Sequence, residues 1–414
     1  MVDNALSPHG GKLVERVLGP EKALSQIQGL KSIAVRGQIA TECIDIAYGF
    51  FSPLEGFMGR ADVESVAREM RLASGYVWSV PVIFDLSDDE IKQLGLKEGE
   101  TLLLTYQGEP LATFEVEEIY SYDKAAMAER VYGTTEEQHP GVRRTYAYKD
   151  RFLGGKITLV NPPKIDPPFD RFWFTPRQFR ERFAEKGWKR VVAHQSRNVP
   201  HVGHEWLMKS AWFAADADAV LVSAVIGEKK PGDFIDEAIV LGHAMLGEAG
   251  YFQEGVHMTS ILLWDMRYAG PREAVFHAIV RKNMGCTHHM FGRDHAGVGK
   301  YYDPYAAHQI FDEIPDIGIK PVETLEWWFC PVCGVAYEKL CGHRDQKQVI
   351  SGTWLRSIIQ EGVRPEAAIF RPEVFDLMLE CGQKYGFGSP FVEERYLENR
   401  NPVFTLPAME LSRR

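Results

Sequence analysis

No apolar run in the 414 residues reaches the roughly 18 that a membrane-spanning helix needs. The opening stretch, Met1 to Lys12, is polar and lacks the apolar centre of a signal peptide. A cytoplasmic protein with no membrane partner is therefore the expectation. Basic charge is not in excess: 47 Lys and Arg against 57 Asp and Glu leave a net charge of −10, which argues against a nucleic-acid partner. An anionic substrate would need positive potential concentrated locally, against the global sign. Cysteine is scarce, at six, and Cys330, Cys333 and Cys341 crowd together, which suggests a metal and not a secreted disulfide scaffold. A complete Walker motif is also missing. Gly297-Val-Gly-Lys ends like a P-loop, but Tyr301 stands where Ser or Thr must bind magnesium, and Asp294 replaces the first glycine. No kinase unit of that type is expected, and there are no repeats or low-complexity tracts.

What is present reads as an ordinary globular chain long enough for two or three domains. The first third looks mixed or mostly β. Thr101–Tyr106 and Pro110–Val116 read as strands around a Gly turn, and Tyr76–Phe84 as a further β-rich run. Prolines accumulate over Asn161–Pro168 and mark a linker. Beyond it the texture alternates. A helix is expected over Thr175–Lys186, capped by Thr175 with Pro176 in its first turn, then a short strand at Arg190–Ala193. A helix over Gly203–Ala215, an apolar strand over Ala219–Ile226, a helix over Arg272–Asn283 and a strand over Thr287–Phe291 follow. Such alternation implies βαβ units and a parallel sheet, with ligands beyond the carboxyl ends of its strands, in the loops after Ala193 and Phe291.

The first of those loops is His194-Gln-Ser-Arg-Asn-Val-Pro-His-Val-Gly-His-Glu, leading into a helix. A helix start offers unpaired N–H groups to an anion, and Gly203 lets a phosphate approach the backbone. His201 and His204 share one face of the first turn, Arg197 offers a planar fork, and Gln195 and Asn198 add neutral hydrogen bonds. A helix terminus contributes at most about 2 kcal/mol, whereas catalysis requires at least about 8, so several fixed donors must act together. A zinc-protease motif is excluded because its two histidines sit four apart with a Glu between them. After the second strand, Gly292-Arg-Asp-His-Ala-Gly offers Arg293 and His295 to an anion; the bland alternative is a β-turn with an Arg293–Asp294 surface ion pair.

Gln195-Ser-Arg-Asn-Val-Pro-His-Val-Gly-His resembles the Gln-[Thr/Ser]-Arg-Asn-Pro-x-His-x-x-His loop of the ATP sulfurylase family, within the nucleotidyltransferases. Val199 stands where that family usually has Pro, so the rigid point moves to Pro200. Phe51-Ser-Pro-Leu-Glu-Gly-Phe-Met, Tyr132-Gly-Thr-Thr-Glu-Glu-Gln-His-Pro-Gly-Val, Met266-Arg-Tyr-Ala-Gly-Pro-Arg-Glu-Ala, His277-Ala-Ile-Val-Arg-Lys-Asn and Gly292-Arg-Asp-His-Ala-Gly follow the family's order.

The resemblance implies an α/β fold: a β-rich PUA-like domain (1–165), a Rossmann-like parallel-sheet nucleotidyltransferase domain (166–322) and a small zinc-bearing C-terminal domain (323–414). It implies ATP and sulfate as substrates, Mg2+ carried with ATP, and a homodimer. Gln195, Arg197 and the Ala296 N–H would hold sulfate. Gln195, Ser196, Arg197, Asn198, Gly292, Arg293, Asp294 and His295 would meet ATP. Ser196, Arg197, Asn198, His201, His204 and Arg293 would form the catalytic set. Ser351-Gly-Thr-Trp-Leu-Arg resembles a superfamily helix start, where Ser351 or Thr353 would cap the helix or Arg356 would reach a phosphate. An adenylyltransferase with another anionic acceptor is the alternative reading, and a non-catalytic zinc-knuckle binding module is disfavoured by the acidic charge.

Cys330-Pro-Val-Cys, followed by Cys341-Gly-His343, gives C-x2-C-x7-C-x-H, a donor set suited to tetrahedral Zn2+. Four protein ligands leave no open position, so the metal is expected to be structural and to bear little on activity.

Overall fold

A computed structural model describes residues 6–348, 350 and 352–409, which leaves Ser351 outside the described residues. The N-terminal sheet contains β1 (Lys31–Ala34), β2 (Gly56–Phe57), β3 (Phe84–Leu86), β4 (Thr101–Tyr106), β5 (Glu109–Tyr120) and β6 (Arg151–Leu159). Their order is β1-β4-β5-β6-β2, with β3 beside β6. The expected hairpin is β4–β5. Gln107 and Gly108 both take left-handed φ, 53° and 86°, as a turn matching strand twist requires.

The run Tyr76–Phe84 is not the strand its composition suggests, since only Phe84 begins β3. Pro81 has no N–H to donate. The Trp78 amide bonds to the Met70 carbonyl and its indole to the Val80 carbonyl, both at 2.8 Å, so the segment fills the core without joining the sheet. Helices such as Gly37–Ala47, Arg60–Glu69 and Lys124–Tyr132 make this third mixed rather than mostly β.

Within the proline-rich linker, β7 (Lys164–Ile165) pairs with Phe404–Thr405 near the end of the chain. The helix Pro176–Glu185 starts on Thr175, whose hydroxyl accepts from the Gln178 amide in a full capping box, as its sequence predicts.

The second sheet is parallel throughout, in the order β10-β9-β8-β11-β12, with β8 (Val191–Ser196), β9 (Ala219–Ile226), β10 (His257–Leu263), β11 (His288–Phe291) and β12 (Lys320–Glu323). Every residue of β9 is buried, as expected of a strand covered on both faces. The connections leaving β8 and β11 diverge, which opens a crevice at their carboxyl ends.

The helix Pro271–Met284 lies almost wholly buried and carries polar groups into the core. The Asn283 side-chain amide donates to the Phe50 and Ser52 carbonyls at 2.9 and 3.0 Å and accepts from the His9 amide at 2.8 Å, tying the second sheet's layer to the first. The Arg267–Glu42 ion pair, buried on both sides, makes the same join. A final hairpin, β13 (Trp327–Cys330) and β14 (Gly334–Tyr337), rests on the helix Val202–Ala214. No helix among the described residues is long and apolar enough to cross a membrane.

Candidate active site

β8 continues through Gln195 and Ser196, so these two side chains sit on a strand end and not on the loop expected from the sequence. The Ser196 hydroxyl then shapes the turn, accepting from the Asn198 amide at 3.2 Å and donating to its carbonyl at 3.1 Å. Val199 and Pro200 are buried. Both lie against Gly242 of the helix Asp236–Glu248, where a Cβ would stand 3.2 Å from Pro200 and 3.3 Å from Val199. The displaced proline is thus seated on a neighbouring helix, which fixes the turn.

His201 caps the helix Val202–Ala214. Its Nδ1 accepts from the Gly203 amide at 3.0 Å, and His204 Nδ1 accepts from the His201 amide at 3.3 Å. The rings lie 4.0 Å apart between centroids. A neutral imidazole that accepts at Nδ1 carries its proton on Nε2, so both histidines have an Nε2–H donor left over. Burial pushes His204 down to about 4 and holds His201 well below its ordinary value, with the neighbouring His204 ring adding to the effect. They are neutral donors, and the formal positive charge of the site rests on Arg197, Arg293 and Lys230. Gly203 borders the cleft and also makes room for its neighbours: a Cβ there would stand 2.8 Å from His201 Cε1 and 3.2 Å from the Trp327 carbonyl.

Arg197 donates through Nη1 to the Tyr268 hydroxyl, lies 5.4 Å over the Tyr268 ring and approaches Asp233 at 3.5 Å. Tyr268 has a left-handed φ of 60°, costly for a tyrosine, and the Glu273 carboxylate holds the strained loop by accepting from the Arg267 amide at 2.9 Å and the Ala269 amide at 3.1 Å.

In the turn after β11 the left-handed residues are Asp294 and Ala296, at 55° and 54°, and not the glycines. Arg293 pairs with Asp294 at 3.2 Å and with Glu326 at 3.4 Å. The ion pair of the bland reading is therefore real, and its members nonetheless border the cleft.

All eleven residues predicted to meet substrate (Gln195, Ser196, Arg197, Asn198, His201, His204, Gly292, Arg293, Asp294, His295 and Ala296) border one open cleft of about 550 Å3 at the carboxyl ends of β8 and β11. That volume suits a nucleotide-sized ligand. Sequence reasoning missed Lys230, Asp233, Tyr268 and Trp327, which border the same cleft. The Gly-Glu-Lys-Lys-Pro-Gly-Asp turn directly after β9 was the available signal, since it also lies beyond a strand's carboxyl end. Arg356 donates to the Gly232 carbonyl at 2.8 Å and to the Thr353 hydroxyl at 3.3 Å, behind the cleft.

Cys330, Cys333, Cys341 and His343 converge with their ligand atoms all within 4.8 Å of one another. Cys333 Sγ is 3.8 Å from Cys341 Sγ and 3.3 Å from His343 Nδ1, close to the edge of about 3.8 Å that bonds of about 2.3 Å make around a tetrahedral ion. The Cys330 sulfur accepts from the Cys333 amide at 3.5 Å. The cluster fits a metal ion. Its hairpin reaches the cleft, although the sequence predicts little bearing of the metal on activity. Trp327, on the same hairpin, stacks on Trp206, donates to the Ser210 hydroxyl at 3.3 Å and borders the cleft.

A doubly wound parallel sheet with clustered Arg, His and backbone donors at its switch point, and no P-loop among them, defines a nucleotidyltransferase. The ATP-sulfurylase family model matches residues 170–381, and the PUA-like domain model matches residues 6–162. The chain belongs to the ATP-sulfurylase family. It is 42% identical to the sulfate adenylyltransferase of Archaeoglobus fulgidus over 98% of each chain. It is 43% identical to that of Hyperthermus butylicus (93% of this chain, 97% of the relative) and 44% to that of Staphylothermus marinus (93% and 99%). Among solved structures, a hexameric APS kinase from Thiobacillus denitrificans shares the fold, with a TM-score of 0.71 at 21% identity, over 91% of this chain and 68% of that one.

Proposed function

We infer that the chain is a sulfate adenylyltransferase: ATP and sulfate give adenosine 5′-phosphosulfate and diphosphate, reversibly. The observation that carries this is the convergence of Arg197, Arg293 and two imidazole Nε2–H donors on one nucleotide-sized cleft in a chain of this family. A sulfate oxygen attacks the α-phosphorus in line; the new P–O bond forms as the bond to the bridging oxygen of diphosphate breaks. Sulfate is already a dianion at neutral pH, so no base is required, and the work is positioning and charge stabilisation.

In this reading Gln195, Arg197 and the Ala296 N–H hold sulfate, and Gly292–His295 meet the nucleotide. Ser196 shapes the turn while Asn198 and the loop amides hold the triphosphate. His201, His204 and Arg293 stabilise the five-coordinate phosphorus and the departing diphosphate. Magnesium enters as MgATP, held mostly by the phosphates and water. Cys330, Cys333, Cys341 and His343 hold a structural Zn2+. Three units, 1–165, 166–322 and 323–414, divide the labour.

The test is diphosphate release from ATP with sulfate or molybdate titrated in. Sulfate-dependent release that disappears in Arg197→Ala with the fold intact supports the reading. Release indifferent to sulfate and dependent on another anion overturns it.

A further inference from the structure

Behind the turn after β11, His295 is backed by two side chains that the mechanism above does not use, Glu273 and His277. The Glu273 carboxylate is fully buried and faces His277 Nε2 at 3.5 Å, and His277 Nδ1 meets His295 Nε2 at 3.0 Å. The Glu273 carboxylate also accepts from the Trp264 indole at 2.9 Å and from the two amides named above, so it is fixed in place. The described hydrogen bonds leave His295 Nδ1 without a partner, and His295 borders both the cleft and a smaller pocket beside Gly270 and Tyr302.

The direction of these contacts follows from charge. Burial alone would raise the Glu273 carboxyl, but the Trp264 indole and the Arg267 and Ala269 amides that donate to it help to hold it below its ordinary value, so it is ionised. At 3.5 Å the contact is one of charge and not a hydrogen bond, and an ionised oxygen there favours a proton on His277 Nε2 over a lone pair. His277 Nδ1 then carries the lone pair, and the hydrogen between the two rings must come from His295 Nε2. In a neutral imidazole only one nitrogen is protonated, which leaves His295 Nδ1 as an acceptor. Burial keeps both rings neutral by lowering their pKa values.

We propose that Glu273 and His277 are positioning residues that lock His295 as its Nε2–H tautomer, so that His295 Nδ1 accepts a hydrogen bond from a neutral donor of the bound nucleoside. An acceptor nitrogen is unfavourable beside a phosphate oxygen, so His295 differs in kind from His201 and His204, which present N–H groups. The site thus holds two classes of histidine: donors for the phosphates and an acceptor for the nucleoside. The donor is a ribose hydroxyl or the adenine amino group. This rests on the adenylyl-transfer reading for the identity of the ligand, though the tautomer itself does not.

The test has two independent arms. In the unliganded full chain labelled with 15N-histidine, long-range 15N–1H spectra, assigned with His295→Gln, should show His295 protonated at Nε2; a proton at Nδ1 overturns the proposal. Calorimetric titration of MgATP should show about tenfold weaker binding for His277→Leu, the loss of one buried hydrogen bond, with near-native binding restored in His277→Asn, whose side-chain oxygen can accept from His295. Sulfate KM should not move.

For 2′-deoxy-ATP, 3′-deoxy-ATP and purine riboside triphosphate, the nucleotide that lacks the recognised donor should bind wild type weakly and lose nothing more in His277→Leu. Equal further losses with all three overturn the proposal, as does unaltered ATP binding in a folded His277→Leu. If sulfate-dependent turnover is absent while the spectra show the Nε2–H tautomer, the adenylyl-transfer reading alone fails.

Discussion

Arg371 grips the fully buried carboxylate of Glu205 with two hydrogen bonds, Nε to Oε2 at 2.7 Å and Nη2 to Oε1 at 3.0 Å. Lys209 adds a third contact at 2.6 Å. Glu205 lies one residue past His204, so a side chain from the C-terminal region steadies the helix turn that presents both imidazoles. A hydrogen bond to a charged group contributes about 1.5–3 kcal/mol, and both cations here are only partly buried. Glu205→Ala should therefore lower stability by about 3 kcal/mol, read as a shift in the urea midpoint, and should lower kcat as the turn loosens. Arg371→Ala leaves Lys209 in place and should cost less.

Tyr268→Phe keeps the ring under Arg197 and removes the hydroxyl that Nη1 donates to. The lost hydrogen bond to a charged group corresponds to about 1.5–3 kcal/mol. Steady-state kinetics should show kcat/KM for sulfate falling at least about tenfold, with KM for ATP little changed.

His201→Ala and His204→Ala each remove one fixed N–H donor from the reacting phosphoryl group. Loss of such a donor lowers kcat by about 10²–10³. Each substitution also breaks the reciprocal cap, so circular dichroism melts should show a small stability loss of about 1 kcal/mol beside the large kinetic one.

Buried histidines set the acid limit of the fold. Burial holds His9 at about 4 and His194 at about 3, against 6.5 when unfolded. Between those values the unfolded chain binds more protons, so stability is complete above about pH 6.5 and falls as the pH drops toward 4. Each such group contributes a slope of up to about 1.4 kcal/mol per pH unit. Urea titrations at pH 7, 6 and 5 should show midpoints falling in that order.

The metal cluster should matter to activity through packing. Chelation of the purified protein, or Cys333→Ser, should release one metal ion per chain and lower the melting temperature. Because Trp327 of the same hairpin both stacks on Trp206 and borders the cleft, turnover should fall with the metal. Undiminished turnover after verified metal loss would separate the hairpin from the cleft.

The parallel sheet and its two ligand loops were legible from the alternation around β8, β9 and β11, whereas β10, β12 and the helix Asp236–Glu248 were not read from the sequence. The cluster Gln195 to His204 was legible because its donors lie close together along the chain. Lys230 and Asp233 were not, since a Gly-Pro turn with mixed charge reads as an ordinary loop until β9 is known to lie beside β8. Tyr268 was hidden for a different reason: its function depends on a left-handed backbone that nothing in Met-Arg-Tyr-Ala-Gly announces. The Tyr76–Phe84 run misled because β-branched and aromatic residues report burial as readily as ladder pairing.

The pairing of Lys164–Ile165 with Phe404–Thr405 is reinforced where the Asp166 amide meets the Val403 carbonyl at 3.0 Å and the Asn161 side chain meets the Pro407 carbonyl at 2.8 Å. The linker between the two sheets is therefore clasped by residues that lie far along the chain from it, on the other side of the whole second sheet. A truncation placed just before Val403 would remove this clasp, leave the Asn283 and Arg267 contacts to hold the two layers, and keep every donor of the cleft in the chain.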